Sequence, residues 1–362
     1  VALAAAALRG AGGRPCVLVR HPDGLGAPFF FQKRAPDPRP AWVEVARLRY
    51  PSGRTAQEVV PRHAADLAWL AQLACLELHP HAVRADDLDH PDELRIDLDP
   101  VPGIEWPQIV QVAGVARAVL SDAGLVGWPK TSGSRGIHVL VRIERRWTYE
   151  QVRSAALALA RAMERRAPDL ATSAWHKEQR EGVFVDYNQN ARDRTVCSAW
   201  SVRARPDARV STPLDWRELE RCDPAAFTLW TIPARWRRRG DPHAAMEEHA
   251  GRLDTLLEWA ARDEAAGDGR ARRPARAHPA EGPLVEAARV ADEAAVQPAI
   301  DAWKKAHPAA AARLAPRDVL VDRLRGRSSL SYRVRINLAR VPERLRPAPT
   351  PAPARARKAR NP

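Results

Sequence analysis

Asp97 and Asp99 stand two apart in residues 91–100, PDELRIDLDP, with apolar Ile96 and Leu98 alternating between them. This alternation predicts a β-strand, in which residues two apart share a face. Both carboxylates then point one way, while Ile96 and Leu98 point into a core. Two carboxylates side by side repel and raise each other's pKa, a penalty that a divalent cation removes. Hard oxygen ligands suit Mg²⁺ or Mn²⁺, and such a centre serves two-metal phosphoryl transfer. The bland alternative is a solvated strand edge, since D-x-D also arises by chance. A third acid, Asp186, ends the apolar run Val183-Phe184-Val185 and precedes Tyr187-Asn188-Gln189-Asn190. An acid there often serves only a turn, yet three strand-borne aspartates are what a two-metal centre needs.

Residues 130–138, KTSGSRGIH, place two glycines, two serines and two cations before an apolar strand. Small residues let backbone N–H groups approach an anion, and Ser, Arg and Lys add donors. His138 should face away from Ile137, Val139 and Val141. The segment is not a P-loop, and a plain glycine turn is the alternative. Further on, Arg203 and Arg205 alternate in SVRARP, where a guanidinium fork could clamp phosphate oxygens, or simply line an exposed edge.

The elements around these residues mix short strands with amphipathic helices. Strands are predicted at 16–20, 93–98, 137–143 and 183–185, and helices at 64–76, 108–123, 149–166 and 244–262. The expected class is α+β, not a regular doubly wound sheet. The sequence has 362 residues, with 58 Lys and Arg against 44 Asp and Glu, a net charge of +14 that favours polyanionic partners. Its four cysteines form no C-x-x-C pair, so neither a zinc site nor a disulfide framework is expected, and a reducing cytoplasm fits. No apolar run is long enough to span a bilayer. The chain opens at Val1, without methionine, in what reads as the end of a helix, so preceding sequence is expected.

Taken together, LELHP, VRADDLDHPDELRIDLDP, KTSGSRGIHVLVRI, VFVDYNQNARDRTV and SVRARPDARVSTPLDW resemble, in order and spacing, the polymerase family of bacterial DNA ligase D. FFFQKRAP and YPSGRTA extend the resemblance, which runs from about residue 12 to 236. The later RGRSSLSYRVRINLARVP resembles stand-alone actinobacterial primase-polymerases that lack a ligase, and the chain has no K-x-D-G adenylation motif for sealing nicks. The resemblance implies an archaeo-eukaryotic primase-type fold with a modified RRM-like half, acting on gapped or end-containing DNA with nucleoside triphosphates and two Mn²⁺ or Mg²⁺ ions. It implies that Asp97, Asp99 and Asp186 bind metal, and that Ser132, Arg135, His138 and Arg203 hold the triphosphate, with Gln189 beside it. His79 matches a histidine needed for activity, and Lys33 is a candidate DNA contact. Departures include His81 where an aromatic residue is usual, Trp200 where tyrosine usually precedes SVRARP, and a curtailed segment before Gly12, where related modules recognise a 5′-phosphate.

The expected organisation is a catalytic domain at 1–262, a linker at 263–283, an extension at 284–346 that packs back on the core, and a disordered basic tail at 347–362. The expected location is the cytoplasm, on the nucleoid. The rival readings are a non-catalytic DNA-end or gap-binding module of the same fold, and a D-x-D glycosyltransferase.

Overall fold

The computed structural model describes residues 3–25, 27–50, 54–267, 283–315, 318–325 and 330–347. Two compact units divide the chain after Gly269. In the first, α1 (Ala4–Ala11) leads into β1 (Cys16–Arg20), β2 (Phe30–Gln32), β3 (Glu44–Arg49), β4 (Thr55–Val60), α2 (Ala64–Gln72) and β5 (Cys75–Pro80). These five strands form one antiparallel sheet, with β1 pairing β2, β4 and β5. Then follow β6 (Glu93–Pro100), α3 (Trp106–Asp122), β7 (Trp128–Thr131), β8 (Ile137–Arg142), α4 (Tyr149–Arg166), β9 (Ala171–Thr172) and β10 (Val183–Val185). Their strands make a second sheet in the order β7-β8-β6-β10-β9. Short α5 (Trp216–Leu219), α6 (Ile232–Arg239) and α7 (Asp254–Ala265) complete the unit.

The second sheet has one apolar face and one polar face. Leu94, Ile96 and Leu98 of β6 join Ile137, Val139 and Val141 of β8 in a core closed by Val112, Ala116 and Val119 of α3 and Val152, Ala156 and Leu159 of α4. Burial of this kind contributes roughly 25 cal/mol per Å² of apolar surface. The period-2 pattern on the strands and the 3.6-residue pattern on the helices therefore aim at the same interior. The other face of β6 carries the charges. At its start, Glu93 accepts from Arg95 Nε at 2.7 Å and pairs with Arg142, while Arg14 Nη1 lies 2.5 Å from Asp92 Oδ1. Arg14, Arg95 and Arg142 are among the largest fully buried side chains described. Burial alone would raise the Asp92 carboxyl, but Arg14, Arg142 and Arg84 overcome it and bring the pKa to about 2.

Three expected helices differ from those observed. The one predicted at 64–76 stops at Gln72, because Ala74 adopts φ +53° and the apolar run from Cys75 enters β5 against β1. The one predicted at 108–123 begins two residues earlier, at Trp106, behind a capping box between Glu105 and Gln108. The one predicted at 244–262 begins only at Asp254. Before it, Gly251 is held extended: its N–H donates to the Arg142 carbonyl at 2.9 Å and its carbonyl accepts from Glu144 at 3.0 Å.

The second unit has its own sheet, β11-β13-β12, from β11 (Leu284–Val290), β12 (Val319–Arg325) and β13 (Leu330–Asn337), with α8 (Val296–Ala306) and α9 (Pro308–Ala311). Val334 and Ile336 of β13 pack with Val285, Ile300 and Trp303 in a separate cluster. Most of the expected linker and all but Pro347 of the expected tail lie outside the described residues.

Replacing Glu93 by Gln should leave Arg95 and Arg142 buried and under-compensated, costing about 3–5 kcal/mol in urea unfolding. Glu44→Gln, which breaks an exposed pair with Arg62, should cost under about 1 kcal/mol. Because the folded Asp92 pKa is depressed, its contribution should be whole above pH 3.8 and be lost as pH falls towards about 2.

Candidate active site

Strand register decides which of the singled-out residues meet. In the β6–β8 pair Asp97 lies opposite His138, and in the β7–β8 pair His138 lies opposite Lys130. In the β10–β6 pair Phe184 faces Asp99 and Val185 faces Leu98, so the next residue, Asp186, falls opposite Asp97. Directly opposed residues share a face. Lys130, His138, Asp97 and Asp186 therefore form a row across the polar face, with Asp99 two residues along β6. Carboxylate oxygens of Asp97, Asp99 and Asp186 all lie within 4.8 Å of one another.

The third aspartate is placed by hydrogen bonds beyond the end of β10. Its N–H donates to the Asp97 carbonyl at 2.8 Å. Asn190 then imitates a strand residue: its Oδ1 accepts from the Arg95 N–H and its Nδ2 donates to the Arg95 carbonyl, both at 2.8 Å. Gln189 Nε2 donates to Asp186 Oδ2 at 2.9 Å, and Asn188 N–H to Oδ1 at 3.1 Å. The turn that orients Asp186 is thus stitched to the strand that carries Asp97.

The electrostatics match a cation site. Burial raises the Asp97 pKa well above its usual value, and the charges of Asp99 and Asp186 raise it further. Asp99 is also raised, by loss of water and then by Asp186, although its exposed position weakens the effect through screening. Asp97 Oδ1 is buried without a hydrogen-bond partner. His138 Nε2 is 3.4 Å from that oxygen, but burial and the charges of Lys130 and Arg203 hold the imidazole neutral, so the contact is no ion pair. Three crowded oxygen donors with an unsatisfied buried atom fit Mg²⁺ or Mn²⁺.

The loop between β7 and β8 adjoins this trio. Ser132 Oγ accepts from the N–H groups of Ser134 and Gly136, both at 3.1 Å, which closes the turn. Gly136 lies next to Asp99, and a Cβ there would sit 2.4 Å from the Leu98 carbonyl oxygen. Gly133 has φ +69°, and a Cβ on it would meet Arg203 Cγ at 2.5 Å. Arg135 is near enough to Asp99 to oppose the rise in its pKa.

Arg203 and Arg205 do not lie on the expected strand. A single bridge, Val202 to Val210, holds the segment, yet Arg203 packs on Gly133 and Arg205 Nη1 reaches Ser134 Oγ at 3.4 Å. Lys33 is exposed beside β2, its ammonium 4.2 Å from the centre of the Tyr50 ring.

His79 is engaged with residues that sequence reasoning left out. Its Nε2 is 2.8 Å from Glu77 Oε2, and Glu77 also lies 3.3 Å from Arg203 Nη1. Cys197 completes the group. Burial alone would raise the Cys197 pKa, but Arg203 and then His79 bring it down to about 6, and burial's lowering of His79 is outweighed by its bonds to Cys197 and Glu77. Lys130, expected as a loop donor, lies instead within β7. It is fully buried, donates to Ser211 Oγ at 2.5 Å, and burial lowers its pKa to about 8. Only the strand register could have shown that burial. The 860 Å³ concavity lined by Arg117, Asp215, Trp216 and Arg239 contains none of these residues.

Convergent acids on one sheet face beside a glycine-serine loop make a candidate cation site. Residues 1–243 match the family described as "LigD, primase-polymerase domain", and the chain belongs to that family. It is 33% identical over 258 residues to the multifunctional non-homologous end joining DNA repair protein LigD of Mycobacterium tuberculosis, covering 68% of this chain and 34% of that protein. LigD of Pseudomonas aeruginosa is 33% identical over 225 residues, covering 61% and 26%, and the bifunctional LigD of Bacillus subtilis is 29% identical over 232, covering 63% and 37%. The chain thus spans about a third of the length of these relatives. The polymerase domain of Mycobacterium tuberculosis ligase D, solved in complex with DNA, superposes with a TM-score of 0.62 at 32% identity, over 67% of this chain and 88% of that one. The fold is the mixed α+β fold of that domain. Among the described residues, no helix is long and apolar enough to cross a membrane.

Without metal, the acidic trio should cost stability at neutral pH. Asp97→Asn should therefore raise the metal-free melting point, by roughly 0.5–2 kcal/mol of stability, and abolish stabilisation by Mn²⁺. Because the folded pKa is raised, wild type carries the penalty above that pKa and loses it as pH falls towards the ordinary aspartate value, 3.8. The gap between variant and wild type should narrow on acidification in thermal melts.

Proposed function

We propose that this protein is a template-directed, metal-dependent primase-polymerase that adds nucleotides to a primer 3′-hydroxyl. The observation that carries the reading is the convergence of Asp97, Asp99 and Asp186 beside the Ser132–His138 loop. Asp97, Asp99 and Asp186 would hold the Mn²⁺ or Mg²⁺ ions. When bound, such ions supply Lewis acidity that eases deprotonation of the attacking hydroxyl and offsets charge on the leaving pyrophosphate.

The remaining roles fall to side chains. Ser132 and the neutral His138 donate to triphosphate oxygens, and Arg135 and Arg203 pair with their charge. Arg203 can present two parallel N–H groups, which fixes the phosphate chain in line with the attacking hydroxyl. Gln189 orients the Asp186 carboxylate through its 2.9 Å bond and borders the nucleotide. His79 supports Arg203 through Glu77. Lys33, exposed just past the end of β2, contacts the DNA backbone. The substrates are gapped or end-containing DNA and nucleoside triphosphates, and the relatives' role in non-homologous end joining points to short gap filling during break repair.

Incubation of a gapped duplex with Mn²⁺ and labelled nucleotides tests this directly. Wild-type protein should extend the primer, with ribonucleotides and deoxyribonucleotides compared side by side. Asp97→Ala should reduce extension to background while leaving DNA affinity within about twofold. A mobility shift without extension in wild type would instead identify a binding module. Affinity should fall linearly on a log–log plot against salt, with a slope of about −0.9 per phosphate contacted on duplex DNA, and Lys33→Ala should flatten it by about one contact.

A further inference from the structure

Beside the acidic trio lies a second group of different chemistry. Glu77 Oε, a His79 ring nitrogen and Cys197 Sγ all lie within 4.8 Å of one another. Glu77 and His79 belong to β5 at positions two apart and so share a face, while Cys197 arrives from the segment that follows Val196. That segment is tied to β5, because the Ser198 N–H donates to the Leu78 carbonyl at 2.8 Å and Ser201 Oγ accepts from the Leu78 N–H at 3.2 Å. The three side chains are largely buried, with Cys197 only 2% exposed and the His79 side chain 12% exposed.

We propose that Glu77, His79 and Cys197 form a second, softer metal site that takes Zn²⁺ through a carboxylate, an imidazole and a thiolate, with a fourth position left for water or a substrate oxygen. Tetrahedral ligands at about 2.0–2.3 Å from zinc stand roughly 3.5 Å apart, so the 2.8 Å contact between His79 Nε2 and Glu77 Oε2 opens slightly as an ion enters between them. Sulfur and nitrogen donors separate this site from the all-oxygen trio, which suits harder ions. Thiolate and carboxylate together neutralise a divalent ion. At present Arg203, 3.3 Å from Glu77, supplies part of that charge. A metal that takes the Glu77 carboxylate releases Arg203, whose stem packs on Gly133, towards the loop at Ser132. The second site thereby acts on the residue that the polymerase reading assigns to the triphosphate, but its existence does not rest on that reading.

The test uses the full chain stripped of metal with a chelator and titrated with Co²⁺, a spectroscopic substitute for Zn²⁺. Wild type should develop a near-ultraviolet thiolate-to-cobalt band that saturates at one equivalent and disappears when Zn²⁺ is added. Cys197→Ser should lose the band while keeping its far-ultraviolet circular dichroism. His79→Gln and Glu77→Gln, which keep the thiol, should shift the titration midpoint at least tenfold to higher Co²⁺. Asp97→Asn should retain the band, which separates this site from the acidic trio and makes the result independent of polymerase activity. Absence of the band in wild type, its survival in Cys197→Ser, wild-type midpoints in both Gln variants, or its loss in Asp97→Asn would each overturn the proposal.

Discussion

Asp97, Asp99 and Asp186 repel one another, and the rest of the first unit is arranged so that they stay together anyway. Strand register does this work. Once β10 pairs with β6, Asp186 falls opposite Asp97, and moving it away would require breaking the bond from its N–H to the Asp97 carbonyl. A one-residue slip would turn Ile96 and Leu98 to the polar face and the acids into the core, so hydrophobic burial enforces the register that the charges resist. The repulsion is local and the packing is distributed, which is how a strained site survives in a stable fold.

The same strand carries a second electrostatic system that acts in the opposite sense. At the start of β6 every buried acid has a buried guanidinium: Asp92 with Arg14, and Glu93 with Arg95 and Arg142. Four residues along, Asp97 Oδ1 is buried with no hydrogen-bond partner. The contrast is informative, because Glu93 and Asp97 sit on the same strand and are both buried. Asp92 is driven to a low pKa by its guanidinium partners and Asp97 to a high one by burial and its neighbouring acids, and only the crowded acids gain from a foreign cation. Position along β6 thus separates a structural charge cluster from a candidate catalytic one.

Several of these features could be read before any coordinates. Period-2 alternation in 93–98 placed Asp97 and Asp99 on one face, and the run Val183-Phe184-Val185 placed Asp186 at a strand end. Helix α4 appears over the predicted residues because Thr148 caps it and Val152, Ala156 and Leu159 repeat at core spacing. What stayed hidden depends on contacts between distant segments. The helix predicted to begin at 244 is delayed because Gly251 pairs with the Arg142 and Glu144 backbone, which no local pattern announces. Lys130 looked like a loop cation until its register with His138 and its bond to Ser211 buried it. Cys197 was dismissed because it has no nearby cysteine, but Glu77 and His79 reach it from 120 and 118 residues away.

Arg203 links the two groups of metal-binding type. Its charge acts on Cys197 and Glu77 on one side and on Asp97 on the other, and it also helps hold His138 neutral. A thiolate-bearing trio beside an oxygen-only trio sorts metals by softness, and this matters because zinc binds most mixed donor sets more tightly than manganese does. A site that needs hard, exchangeable ions is better protected when a neighbouring thiolate and imidazole offer zinc a preferred place. Since both trios draw on the same arginine, filling the softer one changes the field at the harder one without moving a strand.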